Sequence, residues 1–87
     1  MDLYLLPIPV RVFKKGRINR KWVALHGCLE HFIEQVDCIL DNPEKVYFAR
    51  RQLRRIILEY KNNDNKLGQM KNALVFLENP YDYINWN

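Results

Sequence analysis

The chain has no serine and no threonine in 87 residues. That removes the hydroxyl nucleophiles of the common acyl-transfer enzymes. The sequence also lacks a G-x-S-x-G elbow, a Walker A loop and a G-x-G-x-x-G turn, so no motif for nucleophilic catalysis or nucleotide phosphates is present. Cysteine is scarce: Cys28 and Cys38 are the two present. They fall ten positions apart in a stretch read as one helix, where that separation is about 15 Å of rise, beyond the reach of a disulfide. Two free thiols fit a reducing compartment. There is no long apolar run. Leu3 to Val10 is broken by Pro7 and Pro9 and is too short to cross a bilayer. Met1-Asp2 opens on an acid rather than a basic leader, so no secretory signal is read. The expected location is cytoplasmic, or the cytoplasm of a host, with no membrane partner.

What is present is basic and apolar. Hydrophobic residues make up 48% of the chain, too many for a disordered tail. The length suits one domain spanning 1–87, and no repeat, low-complexity run or linker divides it. The net charge is +4, a bias toward negatively charged partners that selects none of them. The charge is segregated. Residues 1–25 hold six Lys/Arg against one acid, and residues 26–43 hold four acids and no Lys/Arg. Residues 44–61 again hold six Lys/Arg, against two acids. An acidic segment between two basic ones is more informative than the total.

The stretch from Pro43 to Lys61 organises the rest. At about 100° per residue, Val46, Ala49, Leu53, Ile56, Ile57 and Tyr60 share one face. Arg50, Arg51, Arg54 and Arg55 occupy the opposite arc, with Tyr47 and Leu58 inside it. Asp41 or Asn42 is placed to cap this helix, Pro43 suits its first position, and Glu44 suits the positive end of its dipole. The cluster Asn62-Asn63-Asp64-Asn65 ends it.

An earlier helix is expected over 20–41. Its stripe is Trp22, Leu25, Leu29, Phe32, Val36 and Ile39, widened by His26, Ile33 and Leu40. Glu30, Glu34, Asp37 and Asp41 lie on the far side. Gly27 weakens the first turns, so the regular part of this helix has its alternative start at Gly27 or Cys28. A last helix over 65–78 carries Leu67, Met70, Leu74 and Leu77 on one face, and Asn79-Pro80 ends it. Residues 1–19 read as extended, with Lys14-Lys15-Gly16-Arg17 as a turn. Ile18 to Lys21 either return as a second strand or lead straight into the helix. The fold class expected is mainly α: an antiparallel three-helix bundle from 20–41, 44–61 and 65–78. An N-terminal extended segment or short β-hairpin packs on it, and an aromatic tail over 79–87 follows.

Two functional readings follow from these elements. In the first, the chain is a non-enzymatic binding module for a polyanion, with nucleic acid the leading partner. Arg50, Arg51, Arg54 and Arg55 reach phosphates and Tyr47 stacks on a base. Lys14, Lys15, Arg17, Arg20 and Lys21 extend the surface if the turn lies near. The plain alternative is a solvated charged face. Pairing with the acids of 26–43 is disfavoured, because two helices that share a core turn their charged backs apart. In the second reading, the chain is a small regulatory or inhibitory protein, of the sort mobile elements encode. It docks on an acidic protein surface through the same basic face, or through Tyr81, Tyr83 and Trp86 of the tail. A tail docked back on the bundle is the competing role for those aromatics.

The acidic face is read first as a solubility surface, with self-association through the arginine face as the alternative. His26, Cys28, His31 and Cys38 follow no common zinc spacing. On an unbroken helix His26 and His31 diverge by about 140°. Packing histidines and buried free cysteines are therefore expected, with no metal and no cofactor. No catalytic residue is assigned.

Overall fold

The computed structural model describes residues 10–80. The extended reading of residues 3–9 and the tail with Tyr81, Tyr83 and Trp86 lie outside them. The architecture is mainly helical with one two-stranded antiparallel sheet. Strands β1 (Phe13–Lys14) and β2 (Arg17–Ile18) come first. Helices α1 (Arg20–Leu25), α2 (Leu29–Gln35), α3 (Asp37–Leu40), α4 (Pro43–Glu59) and α5 (Asp64–Glu78) follow.

The hairpin is formed, with Phe13 opposite Ile18 and Lys14 opposite Arg17. Its two turn residues, Lys15 and Gly16, have φ of 57° and 79°. Positive φ at both central positions is the mark of a type I′ turn, whose twist matches that of paired strands. Asn19 continues the ladder by donating its N–H to the Val12 carbonyl at 2.7 Å.

The expected helix over 20–41 is three helices. Gly27 ends the first of them in a left-handed conformation, φ 61°, and Cys28 is extended at φ −92°, ψ 146°. The chain reverses there because glycine takes this conformation at no steric cost. Lys66 of α5 secures the break: its Nζ donates to the carbonyls of Val23 and His26 at 2.6 and 2.8 Å. A cation thereby satisfies the open carbonyl end of α1. A second discontinuity at Val36 separates α2 from α3.

The other two helices fall within two residues of their expected bounds. With no serine or threonine, the side-chain caps of α1, α4 and α5 are all asparagines. Asn19 Oδ1 accepts from Lys21 N, Asn42 Oδ1 from Glu44 N and Lys45 N, and Asn63 Oδ1 from Lys66 N, at 3.0 to 3.3 Å. Each satisfies first-turn N–H groups that have no helical partner.

One cluster of buried side chains holds these elements together. Phe32 sits at its middle, with ring centroids 5.2 Å from Phe13, 6.4 Å from Trp22 and 6.3 Å from Phe76. It therefore joins the hairpin, α1 and α5 in one aromatic contact set. Ala49, Leu53 and Ile56 are the buried face of α4, with Val46, Ile57 and Tyr60 partly buried beside them, as the periodicity predicts. In α5, Met70 and Leu77 are buried as expected, joined by Ala73 and Phe76, while Leu67 and Leu74 are half-buried. Leu25 departs from its stripe and is 58% exposed, because α1 stops there and the following turn redirects the chain.

The three glutamines fasten the irregular segments. Gln35 Oε1 accepts from Val12 N, Gln52 Oε1 from Ile18 N and Gln69 Oε1 from Leu29 N, each at 2.8 Å. All three bonds are half-buried and join positions 23 to 40 residues apart. They satisfy main-chain donors that no ladder or helix would reach. Among the described residues, no helix is long and apolar enough to cross a membrane.

Candidate functional site

The hairpin stands beside α4 because Gln52 holds it there. Gln52 Oε1 accepts from Ile18 N at 2.8 Å and Gln52 Nε2 donates to Ile18 O at 2.7 Å. The stem of Lys45 also lies over the turn, within about 3.0 Å of where a Cβ on Gly16 would sit. Between the turn and α4 this leaves a groove of about 760 Å³. Lys15, Arg17 and Arg20 form one wall, and Lys45, Arg51, Arg54 and Arg55 form the other. Phe48, Gln52 and Leu58 complete the lining. Among the described residues, seven cations line the groove and no carboxylate does.

Of the ten basic and aromatic residues expected to act together, six line this groove: Lys15, Arg17, Arg20, Arg51, Arg54 and Arg55. Lys14 and Lys21 are exposed outside it. Arg50 is turned toward α5. Its Nε is buried without a hydrogen-bond partner among the described residues, and an Nη lies 4.0 Å from Glu78. Tyr47 is exposed on the rim, with the Arg51 guanidinium 5.7 Å from its ring centroid in a cation–π contact. The arc of four arginines is therefore shared between two neighbours: α5 flanks its Arg50 side, and the hairpin flanks the opposite side.

Lys45, Phe48, Gln52 and Leu58 join the site without having been singled out for it. Phe48 and Leu58 are 56% and 70% exposed, apolar side chains in a cationic surface. For Lys45, Phe48 and Gln52 the available signal was their position on α4 on the side of Arg51 away from Arg50, a side that matters only once a second wall exists; Leu58 lies within the arginine arc itself.

Two ion pairs bound the groove. Arg20 and Glu59 meet in a two-pronged pair, with Nη2 donating to Oε2 at 2.6 Å and Nη1 to Oε1. This bond holds the Glu59 carboxyl below its usual range, with the nearby charges of Arg20 and Arg55 adding to the effect. It holds the Arg20 guanidinium above its own. Arg54 Nη2 lies 3.4 Å from Glu78 Oε2. Arg51 and Arg55 have no carboxylate within ion-pair distance among the described residues. None of Glu30, Glu34, Asp37 or Asp41 pairs with an α4 arginine among the described residues. The carboxylate that does is Glu78, at the C-terminal end of α5.

The His/Cys set differs from expectation. Because the chain turns at Gly27, the His26 and His31 rings approach to 5.5 Å edge to face instead of diverging. His26 and Cys38 are exposed, and His31 and Cys28 are half-buried, so neither thiol is buried. Among the described residues, no three His, Cys, Asp or Glu side chains gather to hold a metal ion.

No protein-family model, no curated protein and no solved structure matches the chain. The geometry of the groove is what bears on function.

Proposed function

We propose that the protein is a non-enzymatic binding module that engages a polyanion, nucleic acid first, in the groove between the hairpin and α4. In this reading α1–α3, α4 and α5 act as a three-helix bundle that presents the groove on one edge. The observation that carries it is a lining of seven cations and no carboxylate among the described residues. Positive charge on two facing walls raises the local potential and draws a chain of phosphates in. The arginines give flat, two-pronged donors suited to phosphate oxygens. Such contacts set affinity and carry little base information.

The test is a fluorescence-anisotropy titration of the native chain and of Arg51→Glu/Arg55→Glu with labelled DNA and RNA, at about 50 and 200 mM salt. Binding that weakens steeply with salt and is lost in the folded double variant is the expected result. Absence of binding at the lower salt overturns the proposal.

A second reading is docking on an acidic protein surface. Leu58 favours it, since an exposed aliphatic side chain in a cationic groove suits an apolar partner contact better than a phosphate. Leu58→Lys separates the two. It strengthens or preserves nucleic-acid binding and weakens docking on a protein.

A further inference from the structure

We infer that the groove is shaped for an extended single strand, with a base stacked on Phe48 and phosphates held by Arg17, Arg51 and Arg55. The inference rests on the nucleic-acid reading above and narrows it to one form of the ligand.

The first argument is shape. An α-helix with its side chains is about 10–12 Å across, and the major groove of B-DNA is about 12 Å wide. A bare helix fills that space. Here α4 has the hairpin tied to one side through Gln52 and Ile18, and α5 packed along another. The arginine surface is one wall of a groove and does not stand alone as a ridge. A concave basic surface receives a backbone and does not enter a duplex.

The second argument is the aromatic in the cationic lining. Phe48 contributes no charge and is 56% exposed. Phe48 and Tyr47 meet at 5.7 Å with their planes at 64°, an edge-to-face pair. One of the two rings thus keeps both flat faces out of that contact. Duplex bases are stacked on each other and offer their faces to no side chain. The bases of a single strand do offer them, and aromatic platforms in positive grooves are how sequence-tolerant single-strand binders use them.

The third argument concerns specificity. Gln52 is the one lining side chain with both a donor and an acceptor for a base edge, and its amide is already bonded to Ile18 on both sides. No free amide remains in the lining to read adenine in two-pronged fashion, and the arginines that would match guanine O6 and N7 are assigned to phosphates in this inference. Recognition is therefore by stacking and charge. From Lys45 to Leu58 the groove follows about 20 Å of helix, enough for the smallest single-strand footprints of about four nucleotides. Ribose and deoxyribose strands share this chemistry.

The experiment uses the full chain and four labelled probes. These are a mixed-sequence 12-mer of single-stranded DNA, its RNA counterpart, an abasic deoxyribose-phosphate strand of the same length, and the 12-bp duplex. The base-containing strands are expected to bind about 5- to 100-fold tighter than the abasic strand. Phe48→Ala removes that advantage and leaves abasic binding unchanged; Phe48→Trp restores it. Phe48 is exposed, so both variants keep the native melt, which circular dichroism verifies. Equal affinity for base-containing and abasic strands overturns the inference, as does a duplex bound tighter than either strand, or a silent Phe48→Ala. Each of these leaves the polyanion function in place. No binding of any nucleic acid at about 50 mM salt overturns both this inference and the nucleic-acid reading it rests on.

Discussion

The side-chain amide of Gln52 closes on the main chain of Ile18 from both sides, accepting its N–H at 2.8 Å and donating to its carbonyl at 2.7 Å. This contact makes the groove, because it fixes the wall that carries Lys15 and Arg17. Gln52→Leu keeps the volume and abandons both main-chain groups. The expected cost is about 1–3 kcal/mol, read by urea unfolding, with weaker nucleic-acid binding in the folded fraction. Gln52→Glu retains the acceptor and loses the donor, so its stability falls between the two. A native-like urea midpoint for Gln52→Leu would show that the hairpin is held by something else.

Arg50 and Arg51 are adjacent in sequence and separate in role. Arg50 faces Glu78 across a pair whose side chains are each more than a third exposed, so Arg50→Ala changes stability by at most about 1 kcal/mol and leaves affinity within about twofold. Arg51→Ala leaves the melt unchanged, weakens binding and lowers the salt slope by about one ion. Parallel titrations of the two variants decide this. The reverse ranking would place the ligand on the α5 side of the helix.

Glu59 restrains Arg20 at one end of the groove. Glu59→Gln frees that guanidinium, and affinity rises a few-fold at neutral pH with a steeper salt dependence. The stability effect has a defined pH course. The hydrogen bond from Arg20 lowers the Glu59 carboxyl in the folded chain, so the unfolded chain takes up the proton first as pH falls. Its stabilising contribution is thus whole above the ordinary glutamate range near pH 4.3. It disappears as pH drops through the lowered value. Melting curves of native chain and variant should converge below that range. Convergence already at pH 6 would argue that the pair does not form in solution.

Gly27 and Gly68 make a matched pair of alanine tests. At Gly27, φ is 61° and an added Cβ would meet Val23 O at 2.8 Å and Lys66 Nζ at 2.9 Å. Gly27→Ala therefore strains the left-handed turn and displaces the lysine that caps α1. The expected loss is about 1–2 kcal/mol or more. Gly68 lies within α5 with nothing within 4 Å of its would-be Cβ. Gly68→Ala gains about 0.5–1 kcal/mol through helix propensity. Thermal melts of the two should move in opposite directions.

Much of α4 is legible in the sequence. Ala49, Leu53 and Ile56 are buried, Asn42 caps and Pro43 occupies the first turn, because these features depend on local spacing and capping chemistry. Gly16 marked the hairpin turn for the same reason. The region 20–41 was harder. Its apolar spacing fits a continuous helix, and Gly27 looks there like a weak helical position. Its left-handed conformation is stabilised by Lys66, which lies 39 positions on. The approach of His26 to His31 depends on that turn, so a helical wheel drawn through Gly27 gives the wrong answer for both. Gln35, Gln52 and Gln69 carry no local signal, since a glutamine that clamps a distant backbone group looks like any surface glutamine.

By itself the sequence determined that one helix would be apolar on one side and arginine-rich on the other, and that a basic turn would precede it. Those properties follow from the angle between successive residues. The tertiary structure decided which of the basic residues face one another. A groove needs two walls, and here the second comes from a hairpin 34 residues away in the chain, held by a glutamine bond. That distance is why Lys45 and Phe48 enter the site and Arg50 leaves it.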